Sequence, residues 1–339
     1  MRKQTIKLEN TPQIITTSSV VGKKEIDGPL GNYFEIHSDD EFFGEKSFEK
    51  AESKMMQTCI NNLISKSNLT FDDIDYIFAG DLLNQCISSG YCIRDTNIPF
   101  LGLYGACSTF CESMLIGSLF VNAGYANKVI NATSSHFCSA EKQFRMPLEH
   151  GNQTSTTAQN TVTGSGCTLI SNDYKNNDEN YPCITYVTPG KIVDLGVCDI
   201  SNMGAAMAPA AFNTIATHLT ETNRTADYYD VIITGDLGTL GSKLLTSLFE
   251  KEGIDISKNH KDCGAMIYDL NDPNTKCGGS GCGCIASVFS SYFYPLLKEN
   301  KINKVLLVAT GALMNTTTCQ QGETIPCIAH AIAIENEVK

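Results

Sequence analysis

Two stretches of this chain repeat each other in order and spacing, and that repetition restricts the fold more than any other feature. Tyr229 to Leu237, YDVIITGDL, mirrors Asp75 to Leu82, DYIFAGDL. Farther on, Gly281 to Leu297 stands before Asn303-Lys304-Val305 as Gly105 to Val121 stands before Asn127-Lys128-Val129. Gly105 and Gly281 are 176 positions apart, and so are Asn127 and Asn303. In each copy a buried strand ending in Gly-Asp-Leu precedes a glycine-led helix, which leads to an Asn-Lys-Val strand; the chain reads as a duplicated unit. The polar run Asn172 to Asn180 parts the copies, which places the halves at residues 1–175 and 176–339.

Within the first copy, strands are expected at Gln13–Val21, Asp75–Gly80, Ile98–Leu103 and Lys128–Thr133. A helix is expected over Ser47–Ser67, with Ser47 as its cap and Met55, Met56, Cys59, Ile60, Leu63 and Ile64 as its apolar face. Strand, turn and helix alternate, so the class is α/β, with a mixed or parallel sheet covered by helices. Gly22 to Gly31, which carries Lys23 and Lys24, reads first as a solvated turn and second as a turn leaning over a pocket to supply positive charge; Glu141 to Thr163 reads as a surface excursion or a pocket rim.

The helix after Gly105 is the chemically pointed element. Tyr104, Gly105 and Ala106 lead into Cys107, Ser108 and Thr109 are capping residues, and Glu112 falls in the first turn, where the helix dipole favours an acid. A cysteine on that lip faces unpaired backbone amides, which lower a thiol's pKa and also seat an anion; the alternative is that Cys107 is one more buried thiol in a cysteine-rich chain. If the copies are related by a pseudo-twofold, Cys107 aligns with Gly283 and the two corners face each other. The expected cavity is lined by Cys107, Asp236, Ser280, His136 and Asp81, with Lys23 or Lys24 lending positive charge.

Composition excludes several classes. A formal charge of −12 and a pI near 4.9 argue against a nucleic-acid or anionic-membrane surface. No run approaches the roughly 20 apolar residues that span a bilayer, and no signal peptide is evident, so a cytoplasmic-type soluble protein is expected. Fifteen cysteines without a framework read as reduced thiols. Cys277, Cys282 and Cys284 form no CxxC pair and have no nearby histidine, so no metal or other cofactor is expected.

A duplicated unit with a cysteine at the start of a buried helix in its first half resembles the thiolase superfamily, which includes the ketoacyl-synthase condensing enzymes. Longer words resemble the stage V sporulation protein AD (SpoVAD) family more closely: EKQFR at Glu141–Arg145, TAQNTVTGSGC at Thr157–Cys167, TGDLGTLG at Thr234–Gly241, GGSGCGC at Gly278–Cys284 and QQGETIPCIAH at Gln320–His330. The resemblance implies a thiolase-like αβαβα layered fold of two pseudo-twofold-related halves. It also implies a role in moving dipicolinic acid, pyridine-2,6-dicarboxylate or its calcium chelate, into the developing spore. Membrane-embedded subunits at the spore inner membrane would be its partners, and a homodimer is expected by analogy with thiolases.

Condensing relatives use a histidine in a His-Gln-Ala-Asn or Gly-His-Pro motif. At the matching positions this chain reads Gly235-Asp236-Leu237-Gly238 and Gly279-Ser280-Gly281-Cys282. None of the six histidines falls there; His136, at the end of the strand after the central helix, is the one placed near the corner, in either a pocket or a capping role. The expectation is a non-catalytic pocket for a small aromatic dicarboxylate, in which an ionised Asp236 is acceptor-only and cannot donate to an oxyanion. The alternatives are a cysteine acyltransferase acting on a coenzyme A thioester through Cys107, and a scaffold that binds no small molecule. No stretch matches the acidic twelve-residue calcium loop, so calcium is expected to arrive with the ligand.

Overall fold

The structure, a computed structural model, describes residues 3–145, 155–173 and 181–336. Most of the polar run expected to part the copies lies outside the described residues, as do His150 and the middle of the Glu141–Thr163 segment.

Ten strands form one continuous path whose order reads outward symmetrically from its centre. Gln13–Gly22 and Cys183–Thr188 meet in the middle through the pair Gln13 and Cys183. Outward on one side follow Gly164–Ser171, Lys128–Ser135, Tyr76–Gly80 and Phe100–Leu103; on the other follow Cys327–Glu335, Lys304–Ala312, Val231–Gly235 and His260–Asp262. In each half the outer three strands run parallel and the next pairing inward is antiparallel. The sheet is mixed, and its palindromic order is the duplication made visible.

Three apolar clusters separate five layers. The helix Phe48–Ser67 covers the outer face of the first half through Met55, Met56, Cys59, Ile60 and Leu63, the stripe its spacing predicts. Met203–Thr222 covers the outer face of the second half. Between the two halves lies the largest cluster, where Phe110 and Met114 of the helix Thr109–Asn122 share one core with Ile285 and Phe289. Among the described residues no helix is long and apolar enough to cross a membrane.

The repeat extends farther than the strand words alone indicate. Phe48–Ser67 and Met203–Thr222 are each 20 residues long. Ser47 and Asn202 cap their starts, accepting from Lys50 N and Ala205 N, and Asn68 and Asn223 end them in the left-handed conformation. Asparagine tolerates that conformation better than most residues. Farther along, Asp75 accepts from the amides of Asn127 (2.7 Å) and Lys128 (3.0 Å), and Asp230 does the same for Asn303 (2.6 Å) and Lys304 (3.0 Å). One carboxylate per half thus fixes where the Asn-Lys-Val strand starts.

Two local expectations change. The helix after Cys107 begins at Thr109, behind a 3-10 turn over Ala106–Ser108. The Ser108 and Thr109 hydroxyls donate backward, to Gly105 O (2.7 Å) and Ala106 O (2.6 Å), and Thr109 Oγ1 accepts from Gly105 N (3.1 Å), so both hydroxyls fasten the turn ahead of the helix. Gly22 to Gly31 is not a plain solvated turn: Lys23–Ile26 is a short helix, and it buries Glu25.

Replacing either strand-starting aspartate by alanine removes two charge-assisted bonds at a partly exposed site, so each of Asp75→Ala and Asp230→Ala should cost about 1–2 kcal/mol of stability. The sites lie in separate halves, and urea unfolding of the double variant should show the two losses adding.

Candidate functional site

The corner carrying Cys107 is built by close backbone contact between the halves. Ala106 adopts φ +53, which turns the chain sharply ahead of the cysteine. From the second half, Gly311 packs so closely that a Cβ there would lie 2.4 Å from the Gly105 carbonyl oxygen. The Cys282 thiol donates to Ala106 O at 3.2 Å, and Thr133 Oγ1 donates to Cys282 O at 2.8 Å. The two corners therefore touch, and a cavity of about 310 Å³ opens beside them.

Cys107 and Ser280 line that cavity together with Thr161. One wall is the helix Phe137–Arg145, which contributes Ala140, Glu141 and Phe144; the opposite rim is Met203 and the stretch Ala312 to Asn315. A network draws the remaining rim together. Gln143 donates to Leu82 O (3.0 Å) and accepts from Asn84 N (2.8 Å), while the Tyr104 hydroxyl reaches Asn84 Oδ1 at 3.2 Å. Among the described residues no lysine, arginine or histidine lines the cavity, and Glu141 is its one ionisable carboxyl.

The other residues expected at the site lie around it rather than on its surface. Asp81 is fully buried and holds the turn after its strand, accepting from Leu83 N (2.9 Å) and from Ser89 N and Oγ (2.8 and 2.6 Å). His136 is 1% exposed; its Nε2 lies 2.8 Å from Glu41 O and its Nδ1 accepts from Cys138 N, so it ties down the start of the wall helix. Burial lowers its pKa and leaves the ring neutral at ordinary pH. Lys23 is exposed and borders a separate hollow of about 190 Å³, which shares Thr161 with the main cavity. Asp236 is fully buried; no donor reaches its carboxyl oxygens in full hydrogen-bond geometry, and the Gly281 amide faces them.

Electrostatics at the corner oppose a nucleophile. The helix start was expected to depress the Cys107 pKa, yet burial pushes the thiol well above its ordinary value, and the charge of Asp236 adds to that. The amides of Gly281 and of Cys107 itself pull the other way and lose. Asp236 is itself pushed well above the carboxylate range, first by burial and then by Asp262.

Glu52 is the acid that the helix pattern concealed. It is fully buried beneath the wall helix, where the hydroxyls of Ser139 (2.6 Å) and Ser134 (3.1 Å) donate to it. Burial, reinforced by Asp81, raises its pKa to about 8. Its spacing against Met55, Met56 and Cys59 puts it in the apolar stripe, and that signal could have found it.

Fold and corner together define a protein of thiolase-like fold. The chain resembles 3-oxoacyl-[acyl-carrier-protein] synthase III of Aquifex aeolicus VF5 (13% identity, TM-score 0.58, 96% of this chain and 99% of that one) and the human mitochondrial 3-ketoacyl-CoA thiolase (11%, 0.60, 98% and 100%). At these identities the likeness establishes the fold alone. The chain belongs to the stage V sporulation protein AD (SpoVAD) family, whose model matches residues 2–335. The stage V sporulation protein AD of Bacillus subtilis (strain 168) is 45% identical over 333 residues, covering 98% of this chain and 97% of its own length.

A carboxyl whose folded pKa is raised binds its proton more tightly folded than unfolded, so stability falls as pH rises from the unfolded pKa toward the folded one. Stability of the native chain should decline between about pH 5 and pH 8 by an amount that Glu52→Gln removes. Urea midpoints across that range check it; parallel pH slopes in the two chains would refute the assignment.

Proposed function

We propose that this chain is a non-catalytic thiolase-fold protein of sporulation that binds dipicolinic acid, or its calcium chelate, and supports its uptake into the developing spore. The carrying observation is the corner itself: the cysteine opens onto a cavity, but burial and a neighbouring carboxyl hold it as a neutral thiol and no histidine lines the cavity among the described residues. Acyl transfer needs a thiolate and a group to shuttle its proton. Reversible binding needs only shape and hydrogen bonds.

The cavity is of the size that small-molecule sites occupy, and it is mostly apolar with a few polar groups, a setting that suits a planar aromatic ring. The Ser280 hydroxyl, the side-chain amides of Asn84 and Asn315 and a protonated thiol can each donate to a carboxylate. With no cationic side chain among the described lining residues, a doubly charged ligand gains from arriving with its charge compensated, as a calcium chelate does.

Partners follow as proposals. Membrane-embedded subunits at the spore inner membrane would receive the ligand from a chain in which no described helix spans a bilayer. A homodimer would use the outermost strand Phe100–Leu103, where Leu101 is 40% exposed beside exposed Tyr91 and Tyr104. An unpaired strand edge flanked by apolar side chains is the ordinary template for a second copy.

Cys107 on the lip of an apolar cavity also keeps the acyltransferase reading in view. Isothermal titration with dipicolinate should give saturable one-to-one binding, no weaker with calcium than without, that survives Cys107→Ala. Incubation with acyl-coenzyme A should leave Cys107 unlabelled by mass spectrometry. Covalent acylation lost in Cys107→Ser, together with no dipicolinate heat, would replace this reading by the transferase; neither signal would leave the scaffold.

A further inference from the structure

The word TAQNTVTGSGC ends on a cysteine that the proposed function leaves unused. Cys167 stands in the strand Gly164–Ser171 and Cys59 in the apolar stripe of the helix Phe48–Ser67, so the two belong to different layers. Both are fully buried, and their sulfur atoms lie 3.2 Å apart. The Cys59 sulfur also reaches Ser18 O at 3.2 Å, and the Cys167 sulfur reaches Cys59 O at 3.5 Å.

Two thiols packed side by side fill a core much as other small apolar groups do. They differ in one respect, because they can join. A disulfide holds its sulfurs about 2.05 Å apart, so roughly 1 Å of approach separates this pair from a bond. The strand is held firmly: it pairs on both sides, with Gln13–Gly22 and Lys128–Ser135, and its Gly166 lies against the Ala286 backbone. The helix rests on it by side-chain packing, Cys59 and Cys167 sharing one apolar cluster, and is the partner free to adjust.

We propose that Cys59 and Cys167 form an oxidant-sensitive thiol pair that hydrogen peroxide closes to a disulfide, bracing the outer helix of the first half to the sheet. One thiol attacks a peroxide oxygen, giving a sulfenic acid and one water; the other then attacks that sulfur and releases a second water. The peroxide takes both electrons, and both sulfur protons end in the waters. The partners are 108 positions apart, and the loop so closed encloses Cys107 and the wall helix Phe137–Arg145. A crosslink across so long a loop removes much of the freedom of the unfolded chain, so the oxidised form is the more stable.

The test incubates the full chain with hydrogen peroxide for hours at mildly alkaline pH, because burial raises the Cys167 pKa and slows attack by its thiol. Remaining thiols are capped with N-ethylmaleimide in urea, and the chain is digested without reduction. Peptide mass spectrometry should find Cys59 linked to Cys167, two hydrogens lighter than the free peptides together, and dithiothreitol should part them. The urea midpoint should rise by about 1 M on oxidation and fall back on reduction. Cys59→Ala should abolish both the link and the rise; Cys167→Ala serves if that variant does not fold, and the link in the native chain is read without either. Both cysteines found capped when the exposed Cys198 has lost its thiol overturn the proposal. So does either sulfur carried to sulfinic acid without a link, or a link that leaves the midpoint unchanged.

Discussion

The structure depends on how closely two strand-to-helix corners can approach. Gly311 lies against the Gly105 carbonyl, and Gly166 packs so that a Cβ would come within 2.2 Å of the Ala286 backbone. Gly281, at φ +112, opens the second corner where a Cβ would meet Ser135. No side chain fits between these surfaces, so the halves lock backbone to backbone, and the helices behind the corners fuse into one central core. The cavity forms where that contact ends. Its shape follows from the packing of the two copies more than from any one loop.

The same closeness sets the site's chemistry. Glu52, Asp81, Asp236 and Asp262 are all withdrawn from water around the corner, and burial is the leading cause of each raised pKa. Asp81 and Asp262 are compensated by backbone and hydroxyl donors, and Glu52 by two serines. Asp236 has no donor in full hydrogen-bond geometry, only the Gly281 amide facing its carboxyl. A helix start is generally a favourable place for a thiolate, but a dipole worth up to about 2 kcal/mol does not outweigh full desolvation beside a carboxyl. The surroundings of Cys107 favour the protonated thiol.

Much of this was legible in the residues. The repeated Gly-Asp-Leu and Asn-Lys-Val words announced the duplication, and the palindromic strand order is its direct expression. The stripe from Met55 to Ile64 is buried as its period requires. Cys107 and Ser280 were placed on one cavity by aligning the copies, and they meet there. Periodicity carries this information because it states which face of each element must leave water.

The positions of His136, Lys23, Asp81 and Asp236 relative to the cavity, and the protonation of Cys107, were decided only by tertiary structure. A strand end tells that a side chain is near a corner, but not whether it points into the opening, as Ser280 does, or behind it, as Asp236 does. Met203 and the Ala312–Asn315 rim arrive from distant parts of the chain and carry no local signature. Sequence determined the repeat, the faces and the corner because these follow from local spacing. Ionisation was left to the fold, because a group's charge depends on how much water and which charges surround it, and those surroundings exist only once both halves have closed.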